Sequence, residues 1–425
     1  MDVFMMPVLL GAGILFTLKS RLFQIRGIQF IWRNTAGTLL KKDNVKKGIS
    51  PFQAVTTALA GTMGVGNIAG VATALAGGGA GAVFWMWVSA FFGMMTKYAE
   101  IFLAVKYRVG DGKGGYRGGA MYYIEKGTGS RRLACVFAVL CALCSLGIGN
   151  LTQINSASHA MRESFGVPAF LSGAIAAGIV SLVICGGVRR IARVTEIIIP
   201  FLTIVLLCFS IIILYRNHAY IPPALNMIIS GAFGPREATG GIAGYGVSQA
   251  MRLGLARGVF TNEAGLGSAP IAHACADCVS PRHQAAWGVF EVFVDTLVVC
   301  TITALVILTA NGGALLGSGL DGAALTSAAF ESAFPGVGAG FVAIAIAFFA
   351  IATMVGWSFY GESALRYLSN SPNVVSYYRA VFIVCIALGS VAGLQLVWRA
   401  SDILNAMMAI PNCIALILLR REVKW

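Results

Sequence analysis

Residues 61–70 read GTMGVGNIAG. Three glycines fall within seven residues, and an asparagine stands in an otherwise apolar region. Inside a helix each glycine costs about 1 kcal/mol relative to alanine. In lipid, the backbone groups freed by a break stay unsatisfied unless protein or a cavity receives them. Two readings compete. Gly66 and Gly70 form a GxxxG, which suits close helix packing. Alternatively, the helix breaks here and offers its N–H and C=O groups to a ligand.

The surrounding chain is a membrane protein by composition. Of 425 residues, 57% are hydrophobic and 11% charged, against about 25% charged in a soluble domain. Several apolar runs reach the length of a span. The net charge of +14 would suggest nucleic acid in a soluble protein. Here the basic residues cluster in short loops and read as topology signals, so no nucleic-acid partner is expected. Seven of the ten cysteines (Cys135, Cys141, Cys144, Cys208, Cys300, Cys385, Cys413) lie in apolar runs and read as small buried hydrophobes. Cys275 and Cys278 form a CADC without a second CxxC, a poor zinc pattern. The first apolar run, MDVFMMPVLLGAGILF, lacks a basic n-region and so does not read as a signal peptide. It is short for a full span, which predicts a tilted or partial helix or a start placed slightly late.

The expected fold is all-α and polytopic, with about eleven transmembrane helices near 3–18, 51–76, 79–107, 133–160, 167–187, 193–215, 246–275, 284–310, 337–361, 376–394 and 397–419. Segment 19–50 holds Lys19, Arg21, Arg26, Arg33, Lys41, Lys42, Lys46 and Lys47 against Asp43, which places it in the cytoplasm. Loop 106–132, with Lys106, Arg108, Lys113, Arg117, Lys126, Arg131 and Arg132, falls on the same side. So do Arg189, Arg190, Arg366, Arg379, Arg420, Arg421 and Lys424. The opposite loops hold only Arg162, Arg216 and Arg236, and loop 311–336 has Asp321 and Glu331 but no Lys or Arg. The N-terminus is therefore expected outside and the C-terminus inside. Segments 216–245 and 311–336 read either as caps over an entrance or as plain connections.

A second interrupted stretch decides between packing and a break. Residues 258–270 read GVFTNEAGLGSAP, with Asn262 and Glu263 among the glycines. A carboxylate or amide at that depth is expensive and marks function. The two motifs start 197 residues apart, at 61 and 258. Each falls in the first helix of a five-helix block, 51–215 and 246–425, with 1–50 an N-terminal helix and basic segment and 216–245 an outer loop. Five is odd, so the blocks start on opposite faces. Paired broken helices in inverted halves point to a secondary transporter. GVGNIA also matches G-x-G-x-x-A, but no βαβ unit surrounds it, and the dinucleotide reading fails.

The stretches GTMGVGNIAGVATAL, GGGAGAVFWMWVSAFFGMMTKYAE, GVFTNEAGLGSAPIAHA and EVFVDTLVVCTITALVIL resemble the alanine or glycine:cation symporter family, across nearly the whole chain. That resemblance implies sodium-coupled, or in some members proton-coupled, uptake of small neutral amino acids. It also implies the five-plus-five inverted repeat of the neurotransmitter:sodium symporters plus one extra helix, and a cytoplasmic (inner) membrane location.

GVGN at 64–67 further resembles the unwound first core helix of those symporters. The resemblance assigns the substrate carboxylate to the amides of Val65 and Gly66, one sodium to Thr62 and Asn67, and a second to the carbonyls of Ala60 and Met63 with the hydroxyl of Thr353. It makes Trp357 a wall limiting side-chain size and Gln153 a pocket amide. The plainer readings are a Thr353 bonded to its own helix, a packing Trp357 and an interhelical Gln153 hydrogen bond. Asn262 and Glu263 could shape the ion or ammonium environment, or Glu263 could pair with Arg257 or Arg252. Asp295 could tune ions, carry protons or brace the broken helix. Lys97 and Glu196 read as snorkelling residues.

No HExxH, nucleophile elbow or Walker motif is present, so neither an enzyme nor an enzymatic cofactor is expected. The expected partners are an amino acid, sodium and the bilayer; nothing in the sequence specifies an oligomer. The competing readings are proton coupling through Glu263 and Asp295, and an amino-acid sensor, against which the lack of an appended signalling domain argues.

Overall fold

The computed structural model describes residues 5–39, 45, 47–112, 114–233, 242–369 and 371–425. Lys41, Lys42, Asp43, Lys46, Lys113 and Arg236, used above for topology, lie outside the described residues. The chain is overwhelmingly helical, and among the described residues six helical stretches are long and apolar enough to cross a membrane.

The N-terminal segment forms α1 (Met5–Lys19) and the short helices α2 (Phe23–Arg26) and α3 (Ile28–Asn34). The first motif helix is broken, as α4 (Pro51–Thr62) and α5 (Ala69–Gly78). The start of α4 is written in the sequence. Ser50 caps the Gln53 amide, Gln53 returns the bond to the Ser50 amide, and Pro51 takes the first position, where its missing N–H costs nothing.

Next come α6 (Gly81–Lys106), α7 (Ala120–Thr128), α8 (Arg131–Leu146) and α9 (Thr152–Phe165). A short antiparallel pair, Val109–Gly110 with Tyr116–Arg117, interrupts the loop before α7. Between α8 and α9 the chain widens into a π turn, Gly147–Leu151. α10 (Ala169–Ile184) and α11 (Gly187–Arg216) follow.

The two segments expected outside are not plain loops. The first contains α12 (Ile221–Phe233); Pro222 and Pro223 sit in its first turn, where proline is tolerated. The second motif helix is α13 (Ile242–Asn262), a break, and then α14 (Pro270–His273). Residues 281–309 form α15 (Pro281–Val292), a π segment Phe293–Cys300 and α16 (Thr301–Thr309). The other outer segment holds α17 (Gly322–Ala333). α18 (Gly338–Leu368), α19 (Pro372–Gly389) and α20 (Leu394–Leu418) complete the chain.

α6 packs along α13 and α15, while α18 packs along α8, α9, α11 and α4. The two broken helices thus lie between these long neighbours. Close approach fixes two glycines. A Cβ at Gly356 of α18 would sit 3.0 Å from the Gly61 nitrogen, and one at Gly149 in the first π turn would collide with Trp357.

Candidate substrate and ion site

The first break opens where α4 stops at Thr62. Gly64 is extended, Val65–Asn67 makes one tight turn, and α5 resumes at Ala69. Two of the freed N–H groups acquire side-chain partners. The Gly64 N–H donates to Asn67 Oδ1 at 3.2 Å, and the Val65 N–H to Gln153 Oε1 at 3.3 Å. Gln153 Nε2 is held by the Ile148 carbonyl at 3.0 Å, inside the π turn. A Cβ on Gly64 would lie 2.6 Å from Thr353 Oγ1 and 2.9 Å from Gln153 Oε1. Glycine is thus required for two polar side chains to reach the backbone here.

Asn67 also reaches across to the second half of the chain. Its Nδ2 donates to Asp295 Oδ1 at 2.7 Å and to the Asp295 carbonyl at 3.2 Å. Thr296 donates to the other Asp295 oxygen at 2.8 Å. Asn262 Nδ2 donates to Thr296 at 3.3 Å, while Asn262 Oδ1 accepts the Ala264 N–H at 3.0 Å. Asp295 stands in the second π segment, a local widening common at functional positions.

The second break is held from the other side. Glu263 has φ 53°, Gly265 92° and Gly267 81°, so the chain turns through left-handed conformations that only glycine adopts freely. Glu263 accepts from Ser268 at 2.5 Å and from Trp357 Nε1 at 3.0 Å. The same Nε1 donates to the Gly61 carbonyl at 3.2 Å. One tryptophan therefore ties both breaks together. Glu100 accepts from the Gly267 N–H at 2.9 Å and from Asn412 at 2.6 Å, and Asn412 reaches the Gly265 carbonyl at 2.9 Å.

The predicted residues divide on inspection. Val65, Gln153, Thr353, Asn67, Asp295, Asn262, Glu263 and Trp357 converge on the breaks. Thr353 is buried and its hydroxyl has no hydrogen-bond partner among the described residues, contrary to the plain reading of a helix-bonded threonine. Ala60 lies in the α4 turn against α18, and Met63 is the residue at which α4 ends. Gly66 packs against Thr261 and Phe260. Thr62 donates its hydroxyl to the Leu59 and Ala58 carbonyls of its own helix, at 3.3 and 3.4 Å. α17 reaches the first break too: Thr326 donates to the Ile68 carbonyl at 3.1 Å.

Two expectations are corrected. Glu263 bonds Ser268 and Trp357 rather than Arg257 or Arg252; Arg257 lies over the Trp398 ring at 4.8 Å and the Phe260 ring at 5.5 Å. Lys97 does not snorkel. It is fully buried, with its ammonium 3.1 Å from Glu291. Glu196 is half-buried, as a residue near a helix end can be. Glu100, Asn412, Glu291 and His273 were not singled out from the sequence. Their signal was only an ionisable or amide residue inside an apolar run.

Backbone opened at mid-helix, and served by side chains from helices distant in sequence, is how a membrane protein makes a ligand site without a continuous pore. The class defined is a secondary transporter. The chain belongs to the sodium:alanine symporter family, whose pattern matches residues 1–424. It is 44% identical over 422 residues to the sodium/alanine symporter AgcS of Methanococcus maripaludis, covering 98% of this chain and 91% of that one. It is 34% identical over 416 residues to the amino-acid carrier protein AlsT of Bacillus subtilis, covering 97% and 86%. The fold is shared with the crystal structure of MhsT in complex with L-phenylalanine, at a TM-score of 0.66 and 15% identity over 88% of this chain and 90% of that chain. The chain is therefore a multi-pass, sodium-coupled amino-acid symporter and not an enzyme.

Proposed function

We propose that this protein takes up small neutral amino acids such as alanine and glycine, driven by sodium, through alternating access across the cytoplasmic membrane. Eleven spans arranged as one extra helix and a five-plus-five inverted repeat, with the N-terminus outside, account for the paired breaks and the basic loops. The observation that carries the reading is the first break. There the Thr353 hydroxyl, without a protein partner, faces Gly64, while Asn67 links that turn to the Asp295 carboxylate. Sodium is a hard cation and favours such hydroxyl, carbonyl and carboxylate oxygens.

In this reading one sodium binds by Thr62 and Asn67, with the Asp295 carboxylate beside Asn67. A second binds by the carbonyls of Ala60 and Met63 with Thr353. The substrate carboxylate takes the Val65 and Gly66 amides, with the Gln153 side chain swinging from its Val65 bond. Trp357 bounds the pocket and limits the substrate's side-chain size, and Gln153 is its amide. Sodium orders residues 61–67, so ion and substrate affinities rise together. A cavity of about 190 Å³ lined by Ile271, Phe359, Arg117 and Glu362 offers the inward release route.

The deciding experiment is uptake of labelled alanine into proteoliposomes under an inward sodium gradient, with potassium and pH-gradient controls. Sodium-dependent uptake competed by glycine supports the reading. Uptake driven by the pH gradient alone would replace sodium with protons. Binding without uptake would make the protein a sensor.

A further inference from the structure

Behind the second break lies a buried ionisable cluster that the transport reading does not use. His273, at the end of α14, is fully buried. Its Nε2 lies 3.2 Å from Glu291, and its Nδ1 lies 2.8 Å from Gln284 Nε2. With the amide nitrogen as donor, Nδ1 is the acceptor and the imidazole is neutral, its proton on Nε2. Gln284 Oε1 is buried and has no partner. Half a turn of that amide would present Oε1 to a proton on Nδ1. The site thus has a prepared partner for each protonation state, and Glu291 is already in place as counter-ion.

The surroundings are densely charged. Lys97 is the cation of the cluster, 3.1 Å from Glu291. Four fully buried carboxylates stand in this region: Glu291, Glu100, Glu263 and Asp295. Lys97 is within electrostatic reach of all four, and Glu291 of Glu263 and Asp295. Of the other elements packed against α14, α4 carries no titratable side chain, and α18 carries Tyr360, Glu362 and Arg366, the last two lining a cavity with Ile271 of α14. With the acids ionised, one lysine leaves the region strongly negative. Cations of some kind must balance it.

We infer that His273 is a proton-binding site that opposes sodium: a proton on its Nδ1 adds positive charge beside Glu291 and weakens sodium binding at the breaks. The inference rests on the sodium-coupled reading above. By reciprocity, sodium binding must drive that proton off. No bond other than the N–H is made or broken, and the proton leaves to water.

The test uses the full chain in detergent, weakly buffered, with sodium chloride as the probe and a pH indicator as the readout, repeated from about pH 5.5 to about pH 8, the range in which histidine titrates. The wild type is expected to release protons on sodium addition, and potassium chloride is expected to release none. His273→Gln, which can still donate to Glu291, is expected to release few or none. In proteoliposomes the wild-type KM for sodium should rise at least about threefold on acidification across that range, while His273→Gln should stay within about twofold. Should that variant fail to fold, Gln284→Leu, which removes the partner of the protonated state, should move the release to lower pH. No sodium-linked release in the wild type, or release unchanged in these variants, overturns the inference. Release without any uptake would instead overturn the transport reading and leave the site standing.

Discussion

Asn67 Nδ2 lies 2.7 Å from Asp295 Oδ1, and this bond joins the first broken helix to the π segment beside the second. Its other end matters as much, because Asn67 Oδ1 holds the Gly64 N–H. The side chain therefore connects the unwound backbone to a buried carboxylate. Asn67→Ala should weaken sodium and alanine binding together, each by about tenfold or more, or about 1.4 kcal/mol. Calorimetric titration with alanine at several sodium concentrations reads both. Normal alanine affinity that still depends on sodium would remove Asn67 from the coupling.

Thr353 makes a sharper case because its hydroxyl has no partner among the described residues. Thr353→Val keeps the shape and deletes the oxygen. A hydroxyl kept for a ligand contributes nothing to the folded state, and leaving it unsatisfied costs about 1–3 kcal/mol. The variant should melt no lower than wild type without sodium, yet need far more sodium for uptake. Thr353→Ser should retain wild-type sodium dependence. An unchanged sodium requirement in Thr353→Val would return the residue to packing.

Both breaks were legible because glycines, Asn67 and Asn262–Glu263 are costly inside apolar helices, and cost without a purpose is unusual. Orientation was harder to read. Lys97 looks like a snorkelling residue because sequence gives its approximate depth but not its direction; its partner Glu291 lies on a helix paired only in three dimensions. Pairing with Arg257 or Arg252 was one of two readings of Glu263, because they are close in sequence, yet Arg257 turns to aromatic faces while the carboxylate turns to Trp357. α12 and α17 were hidden by the Gly- and Pro-rich composition of their segments.

Trp357 donates to both Gly61 and Glu263, and it packs where only a glycine at position 149 fits. Trp357→Phe keeps most of the ring volume and loses the donor. It should lower the maximal rate of uptake more than it changes alanine affinity, because the link between the two breaks is lost. Gly149→Ala should be worse tolerated, since overpacking costs about 1–3 kcal/mol. Melting curves and uptake kinetics on the two variants separate these effects. A wild-type rate in Trp357→Phe would show that the tie has no role in turnover.

The Lys97–Glu291 pair allows its net worth to be separated from the cost of breaking it. Both side chains are fully buried, 3.1 Å apart. Removing one partner strands the other as an uncompensated charge, at about 3–5 kcal/mol. Lys97→Met should therefore destabilise strongly, and Glu291→Gln somewhat less, because the amide can still bond His273. The combined Lys97→Met, Glu291→Gln variant should recover part of that loss, since neither partner of the pair is stranded, although Glu100, Glu263 and Asp295 also lose the cation they share. Thermal melts of all four proteins give the coupling energy directly. A double variant as unstable as the sum of the singles would mean that each residue acts through other neighbours. Recovery of stability without recovery of sodium dependence would mean that the charges are retained for ion coupling rather than for folding.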